Sequence, residues 1–247
     1  MDCRDPGDAQ RRRWLVQALA GGLFGTALGG RDAFAVDGLG GRPDKLPPGQ
    51  SIYRISGKVL VNGAAASVQT RIAASDMIET ASGAELVFVV DNHAMIVRGD
   101  SRIALQASGN ATALAGVQVA KGRVLSVFAP GAARRITTPT AVVLIRGTGL
   151  YIEADAAQTY FCTCYGATDV VAVGDPQSRE SVIATHHDKP LFIVAGEQAG
   201  RNIRPAPFIN HTDQELMLIE TLVGRVPPFT FPGTQYNAPR PTGGYRR

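Results

Sequence analysis

Short apolar runs separated by turn residues fill the chain from residue 58 to residue 194, and this pattern limits the fold more than any other feature. The runs are rich in β-branched residues and alternate in polarity, which is typical of half-buried strands. Pairs such as Asn62-Gly63, Ser82-Gly83 and Pro130-Gly131 stand between them, and these pairs favour turns. The runs are residues 58–61, 84–90, 95–97, 102–105, 123–128, 141–145, 149–153, 159–164, 169–173, 182–185 and 190–194.

No part of this region keeps a period of about 3.6 residues over three helical turns. The pattern therefore predicts an all-β domain: an antiparallel sandwich, a barrel or a short solenoid.

A capping box marks the start of a helix after the strand-like region. Thr212 stands three residues before Glu215, the spacing at which each side chain satisfies the other's backbone N–H. Apolar residues follow at helical spacing, and Gly224 suits the carboxyl-terminal cap. The sequence predicts one short helix over residues 213–223, with its apolar stripe packed on the sheet. The stripe consists of Leu216, Leu218, Ile219 and Leu222.

The first 35 residues have the pattern of an export signal. Arg11, Arg12 and Arg13 precede a moderately apolar, glycine-rich run over residues 14–28, and Ala33-Phe34-Ala35 follows. The run is too short and too weakly apolar for a membrane span, which needs about 20 apolar residues. It also lacks the polar face of a buried amphipathic helix. The segment resembles a twin-arginine signal, so we expect a mature protein that starts at Val36, meets the membrane only during export, and is periplasmic or secreted.

Composition divides the rest of the chain. Residues 36–50 are rich in Gly, Pro and Asp and predict a flexible lead-in. Residues 51–200 form the predicted β domain, and residues 201–226 form an extension that contains the helix. Residues 227–247 are rich in Pro, Gly and Arg and predict a disordered tail.

The net charge of +4 comes with basic clusters at the two ends, whereas a nucleic-acid binder carries a basic stripe through its folded part. We therefore expect no nucleic-acid partner.

Several motifs between residues 52 and 173 resemble the FecR domain family. Residues 57–63 (GKVLVNG) match its opening strand and turn, and residues 76–80 (DMIET) match its "GD-x-I-x-T" element, with Ser75 in place of the glycine. Residues 82–86 and Asp91 match the hairpin that follows, where Asn92-His93 replaces the usual Gly-Ser. The strongest match is residues 138–148 (TPTAVVLIRGT), which are similar to "TP-x-A-x-x-x-x-RGT".

The resemblance implies a β-sandwich or short β-solenoid with a role in sensing or binding, and it covers about half of the chain. Its ligand would be a small molecule or another protein of the envelope. The transmembrane regulators of the family carry a cytoplasmic anti-sigma segment and a spanning helix before the sensor. Residues 1–35 are too short for that segment, so we do not expect direct control of a sigma factor.

A Cys-x-Cys pair and a His-His pair are the residues with the most distinctive chemistry. Alternate residues of a strand share a face, so Cys162 and Cys164 are expected to point the same way. His186 and His187 precede Asp188-Lys189-Pro190, which favours a turn and so allows either imidazole to reach the cysteines. Thiolates and imidazoles together suit zinc, iron or copper. The sequence predicts a site for one metal ion at Cys162, Cys164, His186 and His187.

Two alternatives to a metal remain open. The cysteines could form a redox-active thiol pair, although the Cα atoms of alternate residues in a strand lie about 6.5–7 Å apart, the upper limit of the Cα–Cα distance for a disulfide. They could also be inert core residues, because cysteine packs as a small hydrophobe. The corresponding alternative functions are a redox or metal-handling protein of the periplasm and a structural interaction module of the envelope without a cofactor. His93 and His211 are expected to be structural. The chain has no nucleophile elbow, zinc-protease, P-loop or dinucleotide motif, so we do not expect an enzyme; a nucleophilic Cys162 beside His186 is the one arrangement that would contradict this.

Overall fold

The computed structural model of the protein describes residues 44–109, 113–196 and 198–229. The predicted export signal, residues 36–43 of the lead-in and residues 230–247 of the tail lie outside this part. Within it, the chain forms fifteen strands and one helix. They are β1 (Ile52–Ser56), β2 (Val59–Val61), β3 (Ala64–Ala65), β4 (Met77–Thr80), β5 (Glu85–Val90), β6 (His93–Arg98), β7 (Arg102–Ala107), β8 (Leu114–Val127), β9 (Arg134–Thr137), β10 (Ala141–Ile145), β11 (Gly149–Ala154), β12 (Gln158–Ala172), β13 (Asp175–Ala184), β14 (Leu191–Val194), β15 (Ile203–Pro205) and α1 (Asp213–Leu222).

The strands form two packed sheets. The first sheet has the order β1-β5-β6-β8-β11-β12-β14-β15, and the second has the order β3-β2-β4-β7-β8-β9-β10-β12-β13. All neighbours are antiparallel except β8 and β9. The predicted all-β class with one short carboxyl-terminal helix is therefore confirmed, and the architecture is a sandwich.

Strands β8 and β12 belong to both sheets, and each bends at a glycine. Gly122 has φ 106° and Gly166 has φ 92°, which side chains other than glycine rarely adopt. The neighbouring chain also comes close, because a Cβ on Gly166 would lie 2.6 Å from Cγ2 of Thr148. The sequence pattern predicted a strand that begins at Arg123 and two separate strands over residues 159–173, and both predictions were wrong. At both places the strand turns a corner into the other sheet and continues.

The core lies between the two sheets and is built from alternate residues of both, such as Phe88, Ile103, Val143 and Phe161. A second apolar cluster covers the opposite face of the first sheet, where Val87, Ile96, Leu125 and Tyr151 pack against the helix. Strands with two covered faces carry apolar residues at consecutive positions, which explains the continuous burial of residues 159–165 in β12. We call this second surface the helix-covered face.

The helix forms as predicted, except that it ends at Leu222 rather than Val223. Thr212 is the N-cap, and both hydrogen bonds of the capping box with Glu215 are present. Leu216, Ile219 and Leu222 are buried on the helix-covered face. This helix, the one in the described part of the chain, is too short to span a membrane.

Candidate metal centre

Cys162 and Cys164 lie on the helix-covered face, in the half of β12 that pairs with β11. The two side chains point the same way, as the strand period predicts. Both are completely buried free thiols. The sulfurs thus lie between the first sheet and the segments that cover it, which are the β13–β14 turn, the loop before α1 and α1 itself.

The His-His pair lies on the turn between β13 and β14, and Asp188 shapes that turn. Its carboxylate accepts hydrogen bonds from the backbone N–H of Thr185 (2.6 Å) and of His186 (3.2 Å). His187 adopts φ 55° and donates its backbone N–H to the carbonyl of Cys164 at 2.9 Å. This bond fixes the turn above the cysteines. As a result, Nδ1 of His187 lies 3.5 Å from Sγ of Cys162.

His211 completes the group, although the sequence predicted a structural role for it. Its Nε2 lies 3.4 Å from Sγ of Cys164 and 3.2 Å from Nδ1 of His187. The donor atoms of these four residues all lie within 4.8 Å of one another. His211 stands in the loop directly before the helix, so the docked helix brings it to the cysteines.

A polar network positions the loop that carries His211. The guanidinium of Arg98 donates to both carboxylate oxygens of Glu215 (2.9 and 3.0 Å), to the hydroxyl of Tyr151 and to the carbonyl of Asn210. The Tyr151 ring stacks on His211 with centroids 4.5 Å apart. These contacts join the loop, the helix and the first sheet next to the group, since Tyr151 is the cross-strand partner of Cys162.

In both histidines, the ring nitrogen that points away from the cysteines donates a hydrogen bond that sets the tautomer. Nδ1 of His211 donates to the carbonyl of Ile209 at 2.7 Å, because a carbonyl can only accept. Nε2 of His187 lies 2.9 Å from Oδ1 of Asp213, to which it donates. In each neutral ring the nitrogen that faces the cysteines therefore carries a lone pair. The two lone-pair nitrogens face each other across 3.2 Å.

The titration properties of the group follow from the same contacts. The hydrogen bond to Cys164, and then those to His187 and His211, lower the pKa of the Cys162 thiol to about 4. Burial raises the pKa of Cys164 well above its ordinary value. Burial lowers the pKa of His187, but the hydrogen bonds and charges of Cys162 and Asp213 outweigh it, so that pKa is raised. The group therefore holds a thiolate and attracts positive charge.

The separations of the donor atoms match those of a tetrahedral ion. Zinc bonds of about 2.3 Å to sulfur and about 2.0–2.1 Å to nitrogen place two nitrogens about 3.3 Å apart, and a sulfur and a nitrogen about 3.5 Å apart. The corresponding distances here are 3.2 Å, 3.4 Å and 3.5 Å. These three separations fit a tetrahedral zinc ion, and all four donor atoms lie within 4.8 Å of one another.

His186 lies outside the group of four. Its Nε2 is 2.9 Å from both carboxylate oxygens of Asp213, the same carboxylate that holds His187. Its side chain is 40% exposed, compared with 8% for His187 and 4% for Asp213. The structure thus places three of the predicted ligands together, adds His211, and sets His186 in a neighbouring group with His187 and Asp213.

Two aromatic rings cover the histidines from the solvent side. Phe208 lies with its ring centroid 4.5 Å from that of His187 and 4.6 Å from that of His211. Phe229 lies 4.6 Å from His186. His187 and His211 are thereby shielded from water, which strengthens electrostatic interactions between them and the cysteines, whereas His186 stays 40% exposed.

Comparison with known proteins adds little. No family model matches the sequence, and no curated protein matches it. Two crystal structures of a candidate anti-sigma factor from Parabacteroides distasonis ATCC 8503 align with TM-scores of 0.42 and 0.41 at 11% identity. The alignments cover 53% of this chain and 58% of that protein. Likeness at this level carries no argument about function.

Proposed function

We propose that this protein is an exported sensing or binding module of the FecR type whose β-sandwich holds one zinc ion at Cys162, Cys164, His187 and His211. The observation that carries the proposal is the pair of imidazole nitrogens, Nδ1 of His187 and Nε2 of His211, 3.2 Å apart beside two sulfurs. Two lone pairs at that distance repel each other unless a cation or a proton lies between them. A metal ion satisfies all four donors at once.

The charge of the group supports a divalent ion. Metal coordination requires both cysteines to be deprotonated, and two thiolates with two neutral imidazoles then carry a charge of −2, which a divalent cation neutralises. A monovalent ion such as Cu(I) would leave one negative charge buried next to the Asp213 carboxylate, and buried uncompensated charge is costly. Among divalent ions, sulfur and imidazole donors in a tetrahedron favour zinc.

The burial of the site supports a structural role for the ion. All four positions of the tetrahedron are filled by protein side chains, as in structural zinc sites, whereas catalytic zinc keeps one position for water. The ligands come from β12, the β13–β14 turn and the loop before α1. The ion would therefore fasten the helix-bearing segment to the sheet and hold the surface around Phe208, which is 43% exposed, in one conformation for a ligand or partner.

Elemental analysis tests the proposal. The full chain, purified anaerobically and without chelator, should contain about one zinc ion per chain, and a Cys162→Ser/Cys164→Ser variant should contain none. Thr163→Ser, a change on the opposite face of the same strand, is the matched control and should keep its zinc. Zinc-free wild-type protein that folds normally would overturn the proposal. A mass two hydrogens lower, with both thiols protected from alkylation, would instead identify a redox pair.

A further inference from the structure

We infer that His186, His187 and Asp213 form a second metal site, which shares His187 with the zinc site and is open to solvent. The inference rests on the proposed zinc site for the state of His187, but it concerns a different ion. The second site would take a divalent first-row transition metal, because two imidazole nitrogens and a carboxylate suit such ions.

The distances within this group suit coordination as well as they suit hydrogen bonding. Nε2 of His186 is 2.9 Å from both Asp213 oxygens, and Nε2 of His187 is 2.9 Å from Oδ1. Metal bonds of about 2.1 Å at right angles separate neighbouring donor atoms by about 3.0 Å. One ion can thus contact all three residues after small rotations of their side chains.

Electrostatics also favours a cation at this place. The Asp213 carboxylate is only 4% exposed, and the charged partners that the described residues offer it are the imidazoles of His186 and His187. A buried carboxylate requires a compensating positive charge. A divalent ion supplies that charge without requiring either imidazole to be protonated.

His187 would bridge the two ions through its two ring nitrogens. Nδ1 faces the cysteines and Nε2 faces Asp213. Binding of the second ion displaces the Nε2 proton to solvent, so the ring becomes an imidazolate with one metal on each nitrogen. The negative charge of the ring is then shared between two cations, which offsets the cost of losing the proton.

The second site differs from the first in its access to solvent. His186 is 40% exposed, and three protein ligands leave further coordination positions for water or for a donor atom of a ligand. The zinc site is closed, whereas this one is exchangeable. A sensing module could bind a metal-binding small molecule through such an ion, because the small molecule can supply a donor atom at an open coordination position.

Cobalt titration of the metal-free full chain tests the inference. The first Co²⁺ should give thiolate-to-cobalt charge-transfer absorption, and a second should bind without increasing it, for a total of about two ions per chain. His186→Ala should bind about one ion and keep the full thiolate absorption. Lys189→Ala, on the same turn with its side chain 46% exposed, is the matched control and should bind both.

The outcomes separate the two proposals. Wild-type protein that saturates at one ion with full thiolate absorption would overturn the second site and leave the zinc site standing. Failure to develop thiolate absorption would overturn the zinc site. Two ions bound by both His186→Ala and His186→Gln, each folded by circular dichroism, would show that the second ion lies elsewhere and would also overturn the inference.

Discussion

Nε2 of His187 lies 2.9 Å from Oδ1 of Asp213, while Nδ1 of the same ring faces Sγ of Cys162 and Nε2 of His211. Asp213 is the first residue of α1, so the start of the helix determines the orientation and tautomer of an imidazole that belongs to a turn of the sheet. Outer-shell carboxylates of this kind fix metal ligands and raise their basicity. Asp213 is therefore a positioning residue for the zinc site.

We expect Asp213→Asn to weaken zinc binding at the four-residue site by about 10–100-fold, because the amide is a poorer acceptor for the imidazole N–H. Competition against a chromophoric chelator measures the affinity. Asp169→Asn, an exposed change on the same strand as the cysteines, should leave the affinity as it is in the wild type. An unchanged affinity in Asp213→Asn would rule out the positioning role.

The capping box should contribute measurably to stability. Thr212→Ala removes the hydroxyl that accepts from the backbone N–H of Glu215, and loss of such a cap costs about 1 kcal/mol of unfolding free energy. Thr212→Ser keeps the acceptor and should lose much less. Urea unfolding compares the three proteins. Equal losses in both variants would mean that the methyl group of Thr212, rather than its hydroxyl, is what stabilises this end of the helix.

The corner of β12 should tolerate no side chain at Gly166. Gly166→Ala combines an unfavourable φ of 92° with contacts of 2.6 Å to Thr148 and 2.8 Å to the carbonyl of Gly147, so we expect a loss of more than about 3 kcal/mol. Gly174→Ala has a similar φ of 77° but open space around it, so it should lose only about 1–2 kcal/mol. Thermal or urea unfolding distinguishes the two. Similar losses would mean that backbone strain alone matters at the corner.

Stability should fall in mild acid because of His93. Burial, together with the charges of Arg134 and Arg225, lowers its pKa to about 3, and its Nδ1 accepts from the backbone N–H of Ala129 at 3.0 Å. The unfolded chain gains a proton as the pH falls through 6.5, but the folded protein does not. The folded state should therefore lose about 2 kcal/mol between roughly pH 7.5 and pH 5.

The variant His93→Asn isolates this effect, since its side-chain oxygen can still accept from Ala129 and does not titrate. Its unfolding free energy should depend less on pH over the same range, whatever its absolute stability. The measurement is urea unfolding at a series of pH values. Parallel profiles for the variant and the wild type would assign the acid sensitivity to other groups.

Local pattern was sufficient to place part of the candidate site. A period of two puts Cys162 and Cys164 on one face, and Asp188 before Lys189-Pro190 indicates the turn that carries the histidines. The pattern could not determine which of His186 and His187 faces the cysteines, because the direction of each imidazole depends on the positive φ of His187. The choice is made by a backbone hydrogen bond to Cys164, which links residues far apart along the chain.

The sequence did not place His211 beside the cysteines, because the position of this residue depends on where the helix docks. The sequence predicted a helix with an apolar face that packs on the sheet, but it did not indicate which face of the sheet the helix would cover. A histidine directly before a capping box would have been a signal only if the helix had been placed over the cysteines. The strand corners at Gly122 and Gly166 were missed for a related reason. A glycine between two apolar runs fits a turn and a bend equally well, and close packing against a distant segment decides between them.

The sharing of β8 and β12 between the sheets has a consequence for how the protein unfolds. Neither sheet can detach as an independent unit. One half of β8 and one half of β12 lie in each sheet, so a sheet that comes apart still contains chain whose other half is paired in the second sheet. Loosening at one end of β12 is therefore resisted by the ladder at its other end. The sandwich should melt in a single cooperative transition, without a populated state in which only one sheet has come apart.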